Sequence, residues 1–117
     1  MLKNLLCNFL FVFSLGLTAE ADQTQNVTPF MYTVYNLQMA ARNSLTLDNH
    51  IRTAVDHFTH EAFSFDYCTN SGRVDCSSEY RKMRHSFGTV SYYLHDQSFF
   101  HPNVHSAWKE VKHFLNS

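Results

Sequence analysis

The sequence predicts an all-α protein, a small bundle of three to four short amphipathic helices with one disulfide. Large apolar residues recur at intervals of three and four along most of the chain, which is the spacing of one helix face. The 117 residues include only three Gly and two Pro, too few for a turn-rich β fold. With 44% hydrophobic and 16% charged residues, the composition excludes a disordered chain and favours a single domain.

The N-terminal residues 1–21 have the pattern of an export signal. Lys3 supplies a positive charge, residues 5–17 form a short apolar stretch, and residues 19–21 (Ala-Glu-Ala) match a cleavage box. As a helix, the apolar stretch extends for about 20 Å, less than the hydrocarbon core of about 30 Å. We therefore expect a cleaved or loosely held signal, and a stable transmembrane helix is the alternative.

The rest of the chain is short enough to need an additional stabilising link. We expect a linker over residues 22–29 and an exported helical domain over residues 30–117, and a domain of this size is only marginally stable. Export places Cys68 and Cys76 in an oxidising compartment, so we expect a disulfide between them. A redox or metal pair is the alternative, although the C-x7-C spacing matches no standard motif of either kind.

The first two helices are predicted from capping residues and apolar stripes. The first begins with Thr28 as N-cap and Pro29 at its first position, and ends near residues 43–44. The second is capped by Thr46 or Asp48 and runs to about residue 66. Their predicted buried faces consist of Phe30, Val34, Leu37 and Ala41 in the first helix, and Leu47, Ile51, Val55, Phe58, Ala62 and Phe65 in the second.

The third predicted helix has Ser77 or Ser78 as its N-cap and fades near residues 96–97. Its apolar seam has the spacing of packed helices, and Gly88 is expected to mark a close approach of another helix. Pro102 opens a shorter fourth helix. The predicted buried faces are Tyr80, Met83, Phe87, Val90 and Leu94 in the third helix, and Val104, Trp108, Val111 and Leu115 in the fourth.

Eight histidines raise the hypothesis of a metal site. His57 and Glu61 are i, i+4 neighbours on one flank of the second helix, and His101 and His105 have the same spacing at the start of the fourth. Most histidines point away from the predicted core, and no C-x-x-C-H motif for haem attachment occurs. We expect no cofactor, and a periplasmic helical bundle that binds a metal or haem is the alternative function.

Catalytic signatures are absent from the sequence. Residues 57–61 (His-Phe-Thr-His-Glu) match neither H-E-x-x-H nor its inverse, and no G-x-S-x-G or phosphate-binding glycine loop occurs. The net charge of −1 provides no basic field for nucleic acid. We therefore expect a protein that is not an enzyme, binds no specific nucleic acid and acts through a protein partner.

Aromatic residues outside the predicted seams are the candidates for partner binding. Tyrosine is typical of binding hot spots, and large apolar patches are rarely left bare on small monomers. The alternative role of these residues is to widen the core. The set contains Tyr32, Tyr35, Phe63, Tyr67, Tyr92, Tyr93, Phe99 and Phe100, and the predicted contacts are Phe63, Tyr67, Tyr92 and Tyr93.

The order of these features resembles antiholin RI of T-even-type bacteriophages. The similarity covers about residues 2–94: an export leader, a helix that opens with Phe30-Met31, an aromatic helix that ends at Cys68, a polar loop, Cys76 and an amphipathic helix. The loop between the cysteines is slightly longer than the family pattern, and residues 97–117 have no counterpart in it.

The resemblance implies a specific function and location. Such antiholins are exported to the periplasm by a signal-anchor-release segment, here residues 5–17, which would associate transiently with the inner membrane. Their soluble domain, supported by the disulfide, binds the periplasmic domain of the phage holin and delays host lysis. A secreted eukaryotic interaction factor is a third interpretation, to which the glycosylation pattern of residues 26–28 (Asn-Val-Thr) would be relevant.

Overall fold

The computed structural model of the chain describes residues 27–116, and this part of the chain is all-helical, as predicted. We number its helices α1 (Pro29–Asn43), α2 (Asn49–Asn70), α3 (Ser77–Leu94) and α4 (Pro102–Asn116). The leader predicted at residues 1–21 and most of the predicted linker lie outside the described residues. None of the described helices combines the length and the hydropathy that crossing a membrane requires.

The helices form an antiparallel bundle in which α1 packs against α2, α2 against α3, and α4 against α1. Thr28, at the start of α1, donates a hydrogen bond to Asp66 near the end of α2 (3.0 Å). The rings of Phe30, in the first turn of α1, and Phe114, in the last turn of α4, lie 6.2 Å apart. Helices α3 and α4 are also in contact, and their contact is the smallest among the four neighbouring helix pairs.

This antiparallel order gives the bundle two distinct ends. The entry end contains the first residues of α1 and α3, the last residues of α2 and α4, and the α2–α3 connection at residues 71–76. The far end contains the α1–α2 connection at residues 44–48 and the α3–α4 connection at residues 95–101. A hydrogen bond of 3.0 Å between Ser44 Oγ and His101 Nδ1 joins the two far-end connections.

One apolar core joins the four helices, and most of the predicted stripe residues are buried in it. Phe30, Phe65 and Leu115 are only partly buried and pack on the edge of the core. Tyr80 lies in the first turn of α3, at the entry end, and is exposed. Its ring centroid lies 5.4 Å from that of Phe65. The buried cluster consists of Met31, Val34, Leu37, Ala41, Leu47, Ile51, Val55, Phe58, Ala62, Met83, Phe87, Val90, Leu94, Val104, Trp108 and Val111.

Helix α2 continues four residues beyond its predicted end. Asp66 was the expected last residue, but the helix runs to Asn70 because the backbone carbonyl of Asp66 accepts hydrogen bonds from the side chains of Thr69 (2.9 Å) and Asn70 (2.8 Å). Thr69 and Asn70, which the sequence suggested as part of a loop, therefore stabilise the last turn of α2 through their side chains. Asp48 occupies the N-cap position of α2 without a capping bond from its side chain.

The predicted disulfide is consistent with the geometry of the two cysteines. The sulfur atoms of Cys68 and Cys76 lie 2.00 Å apart, at bonding distance, and their Cα atoms lie 6.0 Å apart. Cys68 is buried near the end of α2, and Cys76 directly precedes α3. Gly72 turns the exposed connection with a φ of 82°, a conformation that favours glycine. The bond therefore ties the end of α2 to the start of α3.

Gly88 does not mark a close approach between helices, so this prediction was wrong. The residue is exposed in the middle of α3, and no atom lies within 4 Å of the position that its Cβ would take. With about 100° per residue, Gly88 lies on nearly the opposite side of α3 from buried Val90. It faces open space because the core seam runs along the other side of the helix.

Replacing Cys68 and Cys76 together by serine should lower the free energy of unfolding by about 2.6 kcal/mol. This is the chain-entropy value for a closed loop of about nine residues. The measurement is urea denaturation followed by circular dichroism. Reduction of the native chain should produce a similar loss, and the same reductant should leave the double variant unchanged. An unfolding midpoint that does not move on reduction would contradict a stabilising disulfide.

Gly88→Ala should raise the free energy of unfolding by up to about 1 kcal/mol, because alanine is the better helix former. The position has room for the added methyl group. Gly72→Ala is the matched control and should destabilise the chain, since Gly72 has a positive φ. A loss of stability in Gly88→Ala, measured by the same urea denaturation, would mean that a neighbour packs against this face of α3.

Candidate functional site

The four predicted partner-binding residues form two separate pairs. Phe63 and Tyr67 lie one turn apart on α2, with ring centroids 6.2 Å apart and ring planes at 23°. Tyr92 and Tyr93 lie at the end of α3, with ring centroids 5.6 Å apart. The first pair is close to the entry end of the bundle and the second close to the far end, so the structure does not bring the four residues together.

The second pair is the weaker candidate for partner binding. Tyr93 is partly buried against the core, and its ring meets the edge of His50, in the first turn of α2, at 5.0 Å. It therefore widens the core, as the alternative interpretation predicted. Phe63 follows His50 by thirteen residues, which separates the pairs by about 20 Å along α2. Tyr92 is exposed at the far end, distant from the first pair.

Phe63 and Tyr67 belong to a larger apolar area that α1 completes. On α1, Tyr32, Tyr35 and Met39 follow a second stripe with steps of three and four residues. Tyr35 adjoins α2, where it lines a cleft with Phe63, and Tyr32 borders a groove toward α4. Tyr32 and Tyr67 are 64% and 65% exposed, and Phe63 and Met39 are about half exposed. We call these five residues the aromatic surface.

Two depressions make the apolar lining continuous around the start of α1. A small cleft between α1 and α2 is lined by Val27, Met31, Tyr35, Phe63 and Asp66. A wider groove between α1 and the end of α4 is lined by Val27, Pro29, Tyr32, Thr33, Tyr35 and Phe114. Val27 and Tyr35 border both depressions. The apolar area therefore extends from α2 across α1 to α4.

The hydroxyl of Thr28 fixes the start of α1 against α2. Its Oγ1 accepts a hydrogen bond from the backbone N–H of Met31 (3.1 Å), which confirms the predicted N-cap. The same oxygen donates to Oδ1 of Asp66 (3.0 Å), a side chain that also lines the cleft. One hydroxyl thus caps the helix and holds the two walls of the cleft together.

A second set of polar contacts joins α1 and α2 farther along the pair. Nε2 of Gln38 donates a hydrogen bond to Oδ1 of Asp56 (3.0 Å), and Nε of Arg42 lies 3.5 Å from the same oxygen. Both side chains leave α1 on the side that adjoins α2. The aromatic surface therefore lies on a preformed platform of two helices, with polar links at both ends.

The candidate metal ligands form one pair and two isolated residues. Nε2 of His57 and Oε2 of Glu61 lie 3.7 Å apart, as the i, i+4 spacing predicts. His101 instead bonds the α1–α2 connection, and the ring of His105 packs 5.1 Å from that of Trp108. Within residues 27–116, no group of three or more His, Cys, Asp or Glu side chains is arranged to hold a metal ion.

Comparison of the chain with known protein families, with curated proteins and with solved structures finds no match. The candidate site is therefore defined by the geometry of this chain. The sequence pattern predicts Phe63 and Tyr67 as contacts and places Tyr32 and Tyr35 only among the spare aromatic residues, whereas Met39 was not predicted. Tyr32, Tyr35 and Met39 could have been identified from their spacing, because they form the second stripe on α1.

The α2–α3 connection at the entry end contains a carboxylate that stabilises the start of α3. Oδ1 of Asp75 accepts a hydrogen bond from the backbone N–H of Ser77 (3.0 Å). This bond is the main reason why the pKa of Asp75 is lower than its ordinary value of 3.8, and the charges of nearby arginines lower it further. Cys76 holds the N-cap position, so the predicted cap at Ser77 or Ser78 was wrong.

Asp75→Ala should lower the free energy of unfolding at neutral pH, because the start of α3 loses its acceptor. A carboxyl whose pKa is lowered by folding contributes stability above its unfolded pKa, and loses that contribution as the pH falls through its folded pKa. The difference between the native chain and the variant should therefore shrink below pH 3.8. Urea denaturation at several pH values measures this difference in the free energy of unfolding.

The control for this prediction is Asp96→Ala, which removes the same charge from the exposed α3–α4 connection. A surface change of this kind should alter stability little. A difference for Asp75→Ala that stays constant with pH, or equals that of the control, would show that the charge of the Asp75 carboxylate does not stabilise α3.

Proposed function

We propose that the chain is an exported, antiholin-like protein whose aromatic surface binds the periplasmic domain of a phage holin and delays host lysis. The observation that carries the proposal is the aromatic surface itself, because small monomers rarely leave a group of large apolar side chains exposed on neighbouring helices unless a partner binds there. The resemblance to antiholin RI supplies the class of partner. It also supplies the route of export, through residues 5–17.

The chemistry of the aromatic surface suits a protein partner. Tyrosine and phenylalanine are enriched at the centres of interfaces, where they combine a large apolar area with few rotatable bonds. The cleft between Tyr35 and Phe63 offers a place for an apolar anchor of the partner. The ion pair of Arg42 and Asp56 lies at the border and provides part of a polar rim.

The rigidity of the platform supports tight binding. Both helices are held by the Thr28–Asp66 bond at one end and by the contacts of Asp56 at the other. A surface that is already ordered loses little conformational entropy on association, so more of the contact energy appears as affinity. The disulfide adds to this order, because it ties Cys68, the residue after Tyr67, to the start of α3.

Binding of the holin domain would delay lysis by mass action. A partner that binds only one state of a protein shifts the population toward that state, in proportion to its free concentration and affinity. A holin whose periplasmic domain is occupied would be withdrawn from the assembly that permeabilises the membrane. The delay should therefore lengthen as the amount of exported chain increases.

The metal- or haem-binding alternative has no comparable support. His57 and Glu61 supply two facing groups, and no third His, Cys, Asp or Glu joins them in the part of the chain that the structure describes. We therefore develop only the protein-binding function.

The direct test uses the purified periplasmic domain of a T-even-type holin and the double variant Phe63→Ser, Tyr67→Ser. Exposed hot-spot aromatics each contribute substantially to affinity, so the double variant should bind at least about tenfold more weakly. In bacteria that carry an inducible holin and endolysin, export of the native chain should delay lysis, and export of the variant should not. Titration calorimetry and culture turbidity are the measurements.

Tyr92→Ser is the control, since Tyr92 is an exposed aromatic residue at the far end of the bundle. It should retain both the affinity and the delay. Circular dichroism establishes that each variant remains helical. A native chain that neither binds the domain nor delays lysis would refute the function, and equal losses in the control and the double variant would refute the aromatic surface as its site.

A further inference from the structure

Three large apolar side chains project from the far end of the bundle. Leu45 lies in the α1–α2 connection and is 89% exposed. Phe99 and Phe100 lie in the α3–α4 connection, are 84% and 71% exposed, and pack edge to face with centroids 5.1 Å apart. The hydrogen bond between Ser44 and His101 holds the two connections side by side. The three side chains therefore share one end of the bundle, and we call them the apolar tip.

A polar concavity lies beside the apolar tip, between the end of α1 and the start of α4. Its walls combine amide, hydroxyl and imidazole groups with the ring of Phe100. The polar groups belong to Asn43, Ser44, Thr46, His101 and Asn103. Hydrogen-bonding groups next to exposed aromatic and aliphatic side chains match the two layers of a bilayer surface, where polar headgroups lie directly above acyl chains.

A cation lies behind the α1–α2 connection. Nη2 of Arg52 donates hydrogen bonds to the backbone carbonyls of Ser44 (3.0 Å) and Leu45 (3.2 Å), and its Nε is buried without a hydrogen-bond partner within residues 27–116. No carboxylate of these residues lies within 4.0 Å of its guanidinium. Asp48 and Asp96 lie in the same two connections, so the end as a whole has charges of both signs.

We propose that the apolar tip inserts into the interface of a phospholipid bilayer. Leu45, Phe99 and Phe100 would enter the upper acyl region, and the headgroups would meet the polar concavity, while Arg52 would hold the α1–α2 connection in place. A tip made of connections between helices inserts where apolar side chains protrude, whereas a stable protein interface needs a broad complementary area. This site is separate from the aromatic surface, because it lies at the opposite end of α1 and α2.

Tryptophan placed at each end of the bundle distinguishes tip insertion from binding through the leader. Phe100→Trp reports on the apolar tip, and Val74→Trp reports on the entry end, where Val74 is fully exposed. The probe is the full chain with vesicles of phosphatidylethanolamine and phosphatidylglycerol that contain brominated lipid. The unsubstituted chain, whose Trp108 is buried, supplies the background fluorescence.

The proposal predicts a blue shift and strong quenching by brominated lipid for Phe100→Trp, and neither change for Val74→Trp. Adding Leu45→Ser and Phe99→Ser to Phe100→Trp should abolish most of this quenching, with helicity unchanged by circular dichroism. The leader precedes α1 in the sequence, and α1 begins at the entry end, so binding through the leader would quench Val74→Trp. Quenching at Val74, equal quenching at both positions, or no quenching at position 100 would overturn the proposal.

Discussion

The packing of the apolar stripe of α2 between α1 and α3 is the interaction on which the other features of the structure depend. Phe58 is fully buried at the middle of this stripe, with its ring 5.2 Å from that of Phe87 on α3. Because the stripe occupies one side of α2, the outer flank remains for Phe63 and Tyr67. The same helix holds the disulfide at one end and Arg52, which supports the α1–α2 connection, at the other. Loss of this packing would therefore remove both proposed binding surfaces.

Most of the fold could be predicted because its signals are local. A stripe with steps of three and four identifies a helix and its buried face, and Thr28 with Pro29 identifies the start of α1, without knowledge of the neighbours. The side of a helix that meets each neighbour is not a local property. Gly88 was expected to face a neighbouring helix, but α3 makes its helix contacts on the opposite side, where Val90 is buried. Tyr92 and Tyr93 are adjacent in sequence, but only Tyr93 turns toward the core and His50.

The candidate site was predictable only in part for the same reason. The spacing of Phe63 and Tyr67 places them on one flank of α2, but it does not reveal that α1 lies beside that flank. This placement depends on long-range contacts such as the bond between Thr28 and Asp66, which are separated by 38 residues. Once α1 is in position, Tyr35 of the second stripe lines one cleft together with Phe63 of α2.

Helix α4 lies beyond residues 2–94, over which the sequence analysis proposed the antiholin resemblance, yet it is integral to the fold. Trp108 is buried in the common core, and its indole N–H donates to Ser91 Oγ of α3 at 2.9 Å. The connection that leads into α4 carries Phe99 and Phe100, whereas the proposed holin-binding residues all belong to α1 and α2. The apolar tip therefore takes two of its three side chains from residues 97–117, and the third, Leu45, from the α1–α2 connection. A partner bound along α1 and α2 near the entry end would leave the far end free to contact lipid, so the additional segment can supply a membrane contact without altering the site that binds the partner.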